Sequence, residues 1–412
     1  MKIALRFFIC LLWTGFILTA TANRVRVTGQ IQKAIDRAGK ADTIVLAPGL
    51  YQEGTLRITR PVTLLGEAGA ILDGRHEVEL LLISGSNVTV SNIRFQNSGY
   101  SPMNDYAAIK IIDATGIRIE HNEINHAYFA IHVANSHRVS IRYNKLKGKP
   151  GSEQLTGNGI HLWKCDDALI EKNQVTGHRD GIYFEFVTNS HINDNLSAGN
   201  MRYGLHFMFS HNDRYTRNIF RNNGAGVAVM FSKKVVMEQN LFDENWGAAA
   251  YGILLKEITD SKIERNRFIR NTIGIYMEGS NRIQVTSNQF SNNGWAARVQ
   301  ASCEDNNFSQ NNFSGNSFDI ATNGRLVLNR FDNNYWDKYD GYDLNRDGTG
   351  DVPFHPVSVY AMMVEQNPAS LMLMRSFFVN LIDKAERAIP SLTPAELVDK
   401  TPHMKPFQYD QN

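Results

Sequence analysis

The sequence predicts an all-β fold, a right-handed parallel β-helix with rungs of about 22 residues, an N-terminal capping helix and a C-terminal α-helical tail. Three observations carry this. The segments Gly159-Ile160-His161-Leu162-Trp163, Gly181-Ile182-Tyr183-Phe184-Glu185, Gly204-Leu205-His206-Phe207-Met208 and Gly226-Val227-Ala228-Val229-Met230 align, with glycines 22, 23 and 22 residues apart. An Asn followed two places on by an apolar residue recurs at Asn122, Asn144, Asn173, Asn218, Asn240, Asn266 and Asn288. The runs between these marks are short and alternating, without a helical period, so each coil buries its apolar face only by stacking on the next.

Residues 1–22 read as an export signal. Lys2 and Arg6 precede the apolar run 7–18, and Ala20-Thr21-Ala22 is a small-x-small cleavage site. The run is short for a membrane span. Its removal leaves as many basic as acidic residues. That balance gives no electrostatic footprint for nucleic acid. It also leaves only Cys165 and Cys303, whose rungs are far apart, so no disulfide is expected and stability rests on the hydrophobic stack.

The β-helix is placed at 23–341. At 30–38, Ile31, Ala34, Ile35 and Ala38 share one helical face, suited to covering the open end of the stack. Residues 42–51 open the first coil and turn at Pro48-Gly49; strands follow at 62–65, 70–72, 80–83 and 88–95. Regular rungs start near Ile109 and Ile131. A longer loop at 148–158 and a smaller insertion at 246–250 interrupt them, and the rungs shorten across 306–334. The repeated Asn is scaffold: at the same bend in successive coils it satisfies its own amide and the turn backbone.

Strand alternation then assigns the side chains. The first and third positions after each repeat glycine (Ile160, Ile182, Leu205, Val227, Ile253, Ile275; Leu162, Phe184, Phe207, Val229, Leu255, Met277) face inward. Met237 occupies the slot of Ile119, Ile141, Ile170 and Ile192 and is core. The second and fourth positions face solvent, and they carry His161, Trp163, Tyr183, Glu185, His206, Met208, Ala228 and Met230. Thioether and imidazole suit monovalent copper. His206 and Met208 share a face, Met230 lies one rung on and His161 two rungs back. The four are the expected Cu(I) ligands, with Glu185 orienting an imidazole. The stripe reads equally as a partner-binding patch centred on Trp163, Tyr183 and Glu185, or as ordinary surface.

Residues 342–356 hold an Asp/Gly-rich loop. Asp343, Asn345, Asp347 and Asp351 fall at calcium-loop positions with Gly348 at the sixth, but Phe354 stands where the bidentate Glu belongs. Calcium binding and a plain Asp/Gly turn both fit. The tail, 357–412, is read as one helix over 368–389, between Pro368 and Pro390, followed by a proline-rich strap. Met372, Met374, Phe377 and Phe378 make the helix more apolar than one covered face requires, so it either caps the coil or docks on a membrane-embedded partner.

Parallel β-helices also cleave or epimerise polyuronates, and for that chemistry His178-Arg179-Asp180 with Tyr183 is the best nucleus here. No second acidic cluster or basic run supports it on the same rungs, and fold alone does not assign function.

Five runs, Gly181-Ile182-Tyr183-Phe184, Arg202-Tyr203-Gly204-Leu205-His206-Phe207-Met208, Ala225-Gly226-Val227-Ala228-Val229-Met230, Tyr251-Gly252-Ile253-Leu254-Leu255-Lys256-Glu257 and Asp347-Gly348-Thr349-Gly350-Asp351-Val352-Pro353, resemble the signature runs of the NosD family. The resemblance covers essentially the whole chain after the signal. It implies a periplasmic, non-enzymatic accessory protein of nitrous oxide reductase maturation. Such proteins work with an ABC transporter and a copper chaperone to build the reductase's copper–sulfide centre. The family pattern names no copper ligands, so His161, His206, Met208 and Met230 rest on strand geometry alone.

Overall fold

The computed structural model describes residues 22–100, 105–149, 151–324, 328–389 and 397–409. The export signal expected at 1–22 lies almost wholly outside them. Each coil contributes one strand to each of three parallel sheets, as in Ile160–Trp163, Leu169–Glu171 and Gln174–Thr176. Among the described residues the first sheet has 14 strands, the second 13 and the third 12. The third contains every repeat glycine segment. Neighbouring strands are parallel and in register, so equivalent positions of successive coils form rows along the stack. The coil predicted from the sequence is the one observed.

The bends between strands are single residues in the left-handed region, such as Lys172 (φ 53°), Asp194 (φ 57°) and Arg217 (φ 52°). An Asn follows each of these three. Asn122 donates its main-chain and side-chain N–H to Asn144 Oδ1 at 2.9 and 3.1 Å, and the pattern repeats through Asn173, Asn195 and Asn218 to Asn334. Asn195 escaped the sequence pattern because Ser197, not an apolar residue, stands two places on; its hydroxyl donates to Gly204 O instead. A second ladder, Asn200 to Asn316, runs along another corner.

The repeat glycines are explained by close approach. A Cβ on Gly204 would meet Gly226 O at 2.7 Å and the Phe220 ring at 2.9 Å. Gly226, Gly252 and Gly274 let the coil bend tightly over Phe242, Phe268 and Phe290 of a column that continues to Phe313, with neighbouring centroids 4.8 Å apart, whereas Gly159 and Gly181 close on Val175 and Ser197. All twelve positions assigned inward are fully buried, and so is Met237.

The helix predicted at the N-terminal end is α1 (Ile31–Arg37), with Ile31 and Ile35 plugging the core. Strands Arg24–Val27 and Leu56–Ile58, short alternating runs, are additional to those expected. Residues 88–95 form two strands, not one, because Asn92 bends left-handed (φ 57°).

The tail departs most from expectation. It holds α2 (Val359–Gln366), a 3-10 turn at Pro368–Leu373 and α3 (Phe377–Ala388) in place of one helix. Asn367 caps the 3-10 turn before Pro368, Arg375 is left-handed (φ 65°), and Ser376 caps α3, so the chain is restarted twice. Tyr360, Ala361 and Val364 of α2 pack with Val379, Phe318 and Trp295, closing the outer face of the last rungs. Arg298 adds a two-pronged ion pair to Glu365. The proline-rich strap extends the stack: Asp399 and His403 bridge to Phe331 and Tyr335, and Leu397 enters the core.

Candidate functional site

The outward rows of the third sheet carry the chemistry. One row reads Lys110, His132, His161, Tyr183, His206, Ala228; the adjoining row reads Trp163, Glu185, Met208, Met230, Lys256. Register therefore brings Met208 beside Met230, as predicted. It does not bring His161 to His206, because Tyr183 stands between them, its ring centroid 4.7 Å from His161 and 4.9 Å from His206. Two rungs span about 9.6 Å. The expected convergence of all four side chains is thus corrected to His206 with Met208 and Met230, and His161 belongs elsewhere.

These outward positions are also less open than alternation suggested. His206 is only 4% exposed. Tyr203 covers its ring (centroids 4.8 Å apart), and Arg202 reaches its Nδ1 at 3.4 Å. Asp180 Oδ2 lies 3.7 Å from the same nitrogen. His206 Nε2 is buried and has no partner. Arg202 is thus the closer neighbour of Nδ1, the Asp180 carboxylate lies beyond hydrogen-bond distance, and Nε2 is left as the unpartnered nitrogen. Asp180, enclosed and contacted by Arg202 Nε at 3.3 Å, is the carboxylate beside that imidazole, where Glu185 was expected. Glu185 instead accepts from Tyr183 OH at 3.3 Å, and that hydroxyl also lies 3.5 Å from Met208 Sδ. Burial and then the Glu185 charge push the Tyr183 hydroxyl up to about 12, so it remains a donor at neutral pH.

His132 was missed by the sequence reading because its strand, Phe129–Ala134, carries Ala130 where later rungs have glycine. It lies directly below His161, with ring centroids 4.9 Å apart. Burial lowers His132 to about 4 and His161 well below the ordinary value, so both are neutral imidazoles. His178 is fully buried with both ring nitrogens unpartnered, and Asp180 is equally enclosed. Of the residues expected for polyuronate chemistry these two are enclosed, while Arg179 and Tyr183 are half-buried.

An exposed aromatic column borders the thioether row. Phe186, Phe209 and Phe231 follow Glu185, Met208 and Met230, stack at 5.2 and 5.0 Å, and all sit in the left-handed region (φ 50–54°). Bulky residues rarely adopt it. Trp163 is half-buried under Lys164, whose ammonium lies 4.3 Å from the ring centroid.

The Asp343–Asp351 loop spends its oxygens on itself. Asp343 accepts from the amides of Asp347 and Gly348, Asp347 from that of Thr349, and Asp351 from that of Leu344. Phe354, at the missing Glu position, packs on Trp336 and Tyr339. On the tail, Met372 is 90% and Phe377 82% exposed, with Phe378 exposed beside them. Met374 is drawn into the α2 cluster and leaves the expected docking set. Cys165 and Cys303 are buried free thiols.

The comparisons with known proteins bear on this face. A family model described as "Periplasmic copper-binding protein (NosD)" matches residues 149–341, which include His161, His206, Met208 and Met230 but not His132. A protein of Pseudomonas aeruginosa named "Probable ABC transporter binding protein NosD" is 32% identical over 386 residues, covering 87% of each chain. This chain belongs to the NosD family. A NosD of Stutzerimonas stutzeri with the same name is 28% identical over 385 residues, 87% of this chain and 86% of that one. Among solved structures, a thermostable GH87 α-1,3-glucanase catalytic unit from Streptomyces thermodiastaticus superposes with TM-score 0.63 at 13% identity, covering 77% of this chain and 70% of that one. A PL6 alginate lyase in complex with a trisaccharide gives 0.58 at 14%, covering 76% and 85%. At that identity they share the NosD fold and nothing more. No helix of the described residues is long and apolar enough to cross a membrane.

Proposed function

We propose that this chain is a periplasmic accessory protein for maturation of the copper–sulfide centre of nitrous oxide reductase. It carries Cu(I) as cargo on His206, Met208 and Met230, exchanges it with a copper chaperone and the reductase, and docks on the membrane subunit of an ABC transporter. The observation that carries the copper reading is His206: its Nε2 is buried without a partner, and two thioethers lie on the adjoining row. Thioether donors select a soft monovalent ion; zinc shares the preference for imidazole but takes thiolate or oxygen besides, and calcium takes oxygen. The test is an anaerobic Cu(I) titration of the protein against a competing chelator. The His206→Ala, Met208→Ala, Met230→Ala triple variant loses competition; unchanged affinity would sink the assignment.

Docking is assigned to the exposed apolar residues of the tail, Met372, Phe377 and Phe378. Covering each contributes about 1.5–3 kcal/mol before ordering costs. Serine at all three positions abolishes co-purification of the transporter membrane subunit and leaves copper binding intact. Retained co-purification moves docking to the coil, where Trp163, Tyr183 and Glu185 are next in line. The lyase or epimerase alternative predicts an unsaturated uronate product from alginate or pectate, and its appearance would overturn this reading.

A further inference from the structure

Four arginines of the described residues are half-buried: Arg142, Arg179, Arg202 and Arg298. Three of them have carboxylates. Arg142 pairs with Glu120 at 2.9 Å, Arg298 with Glu365 at 2.6 Å, and Arg202 with Asp180 at 3.3 Å and Glu153 at 3.5 Å. Arg179 makes no ion pair among the described residues, and its Nε is buried without a hydrogen-bond partner. Asp180, next to it in sequence, does not serve it: that carboxylate turns to Arg202 and to the Tyr203 amide on the following rung. A guanidinium N–H taken out of water and given no acceptor costs free energy that nothing in the coil returns. Arg179 N donates to Gly157 O at 3.0 Å and Arg202 N to Arg179 O at 2.8 Å, so the two arginines hold the same place on adjacent rungs, about 4.8 Å apart. Below them Gly157, which has no side chain, backs onto Tyr128. Burial raises the Tyr128 hydroxyl and the Arg179 charge pulls it back; after burial and His132, the same charge keeps His161 neutral, so the guanidinium lies near both.

We propose that Arg179, with Arg202 beside it, binds a small oxyanion of the sulfate or phosphate type from solution. A guanidinium presents parallel N–H groups to two oxygens on one centre, and the Arg179 Nε–H is one of that pair. A tetrahedral anion keeps further oxygens for the arginine one rung on, whereas a planar carboxylate serves a single guanidinium. Arg202 can turn one nitrogen to it. Its Nη1 is held only by Glu153 of the 148–158 loop, at 3.5 Å and with the Glu153 side chain 52% exposed, so the incoming anion displaces that contact and leaves the Asp180 pair in place. The anion supplies the counter-charge that the other three half-buried arginines find within the chain. This site concerns a different ligand from the copper reading and holds whether or not the coil binds a metal.

The experiment uses the metal-free mature chain with nitrogen-15 at arginine Nε, titrated with sodium sulfate, phosphate or acetate at ionic strength held constant with chloride. The Arg179 Nε–H resonance, assigned by its loss in Arg179→Gln, shifts saturably with sulfate or phosphate and stays still in chloride. Thermal midpoints give a second readout, because a ligand bound only to the folded state stabilises it. Sulfate or phosphate raises the parent's midpoint beyond the general salt effect seen in Arg179→Gln. Arg179→Lys, which keeps the charge and loses the fork, responds only at higher anion concentration. In chloride alone Arg179→Gln is at least as stable as the parent, since it removes an uncompensated charge. A resonance that moves with none of the three anions overturns the proposal. A response to acetate alone also overturns it, in favour of a carboxylate brought by a partner protein. Equal stabilisation of parent and Arg179→Gln by sulfate, with the variant less stable in chloride, makes Arg179 structural and overturns it too. Should the Gln variant misfold, the titration of the parent decides, with the resonance assigned from Arg179→Lys.

Discussion

Asp399 terminates the longer Asn ladder, and removing its carboxylate should unzip the end of the coil. Its side chain, wholly buried, accepts five N–H groups. Oδ1 takes the amides of Asn333 and Thr401, both at 3.1 Å. Oδ2 takes the Asn334 amide, Asn334 Nδ2 and the Trp336 indole at 3.0, 3.1 and 3.0 Å. In Asp399→Ala at least the three donors on Oδ2 are stranded away from water. At about 1–3 kcal/mol for each stranded donor, less what relaxation recovers, the loss is on the order of 3–5 kcal/mol. Asp399→Asn should be nearly as damaging. Whichever way its amide is turned, the NH2 meets at least two N–H groups. In a stacked array the damage is local to the last rungs. Hydrogen exchange at Asn333, Asn334 and Tyr335 should accelerate sharply in both variants, while amides near Asn173 stay protected. An Asn variant that exchanges like the parent would show that shape, not a carboxylate, ends the ladder.

Tyr215 is fully buried, stacked against Phe207, and its hydroxyl has no partner, so Tyr215→Phe should raise stability by about 1–2 kcal/mol; a lower thermal midpoint would refute this. Burial pushes Asp213 up to about 8, with one oxygen accepting the Ser190 amide at 2.8 Å. The unfolded carboxyl titrates near 4, so this group's contribution is full below about pH 4 and falls toward pH 8 by up to about 1.4 kcal/mol per unit. Asp213→Asn should flatten that slope in denaturant titrations at about pH 5 and about pH 7.5, and an unchanged slope would place the dependence elsewhere. Calcium held by Asp343, Asn345, Asp347 and Asp351 predicts that chelation lowers the thermal midpoint and that Asp347→Ala abolishes the effect. No shift in either leaves a loop closed by its own amides.

The coil was legible because its signals are local and repeated. A glycine every rung marks a close approach that recurs, and alternation alone sorted Phe184, Phe207 and Met277 inward. The site was legible only in part. Alternation gives the face of a strand but not what folds over it, so the covering of His206 by Arg202 and Tyr203 was invisible, as was Asp180 behind it. Register already puts His161 two rungs behind His206, and a span of about 9.6 Å with Tyr183 between them does not close. His132 was hidden by one alanine in place of glycine. The tail failed for a different reason: the cap at Ser376 is a single residue inside an apolar run whose helical spacing continues across it, and α2 lies before the expected start at Pro368. Asp399 pairs with residues more than 60 positions away, and no local pattern announces such a contact.

The central claim is that the histidine and methionine rows hold Cu(I), and X-ray absorption at the copper edge tests it most directly. The protein loaded with one equivalent of Cu(I) under anaerobic conditions should show sulfur scatterers together with imidazole nitrogen, and the sulfur shell should vanish in Met208→Ala, Met230→Ala. A first shell of nitrogen and oxygen alone at that loading, unchanged by the double substitution, would contradict the account.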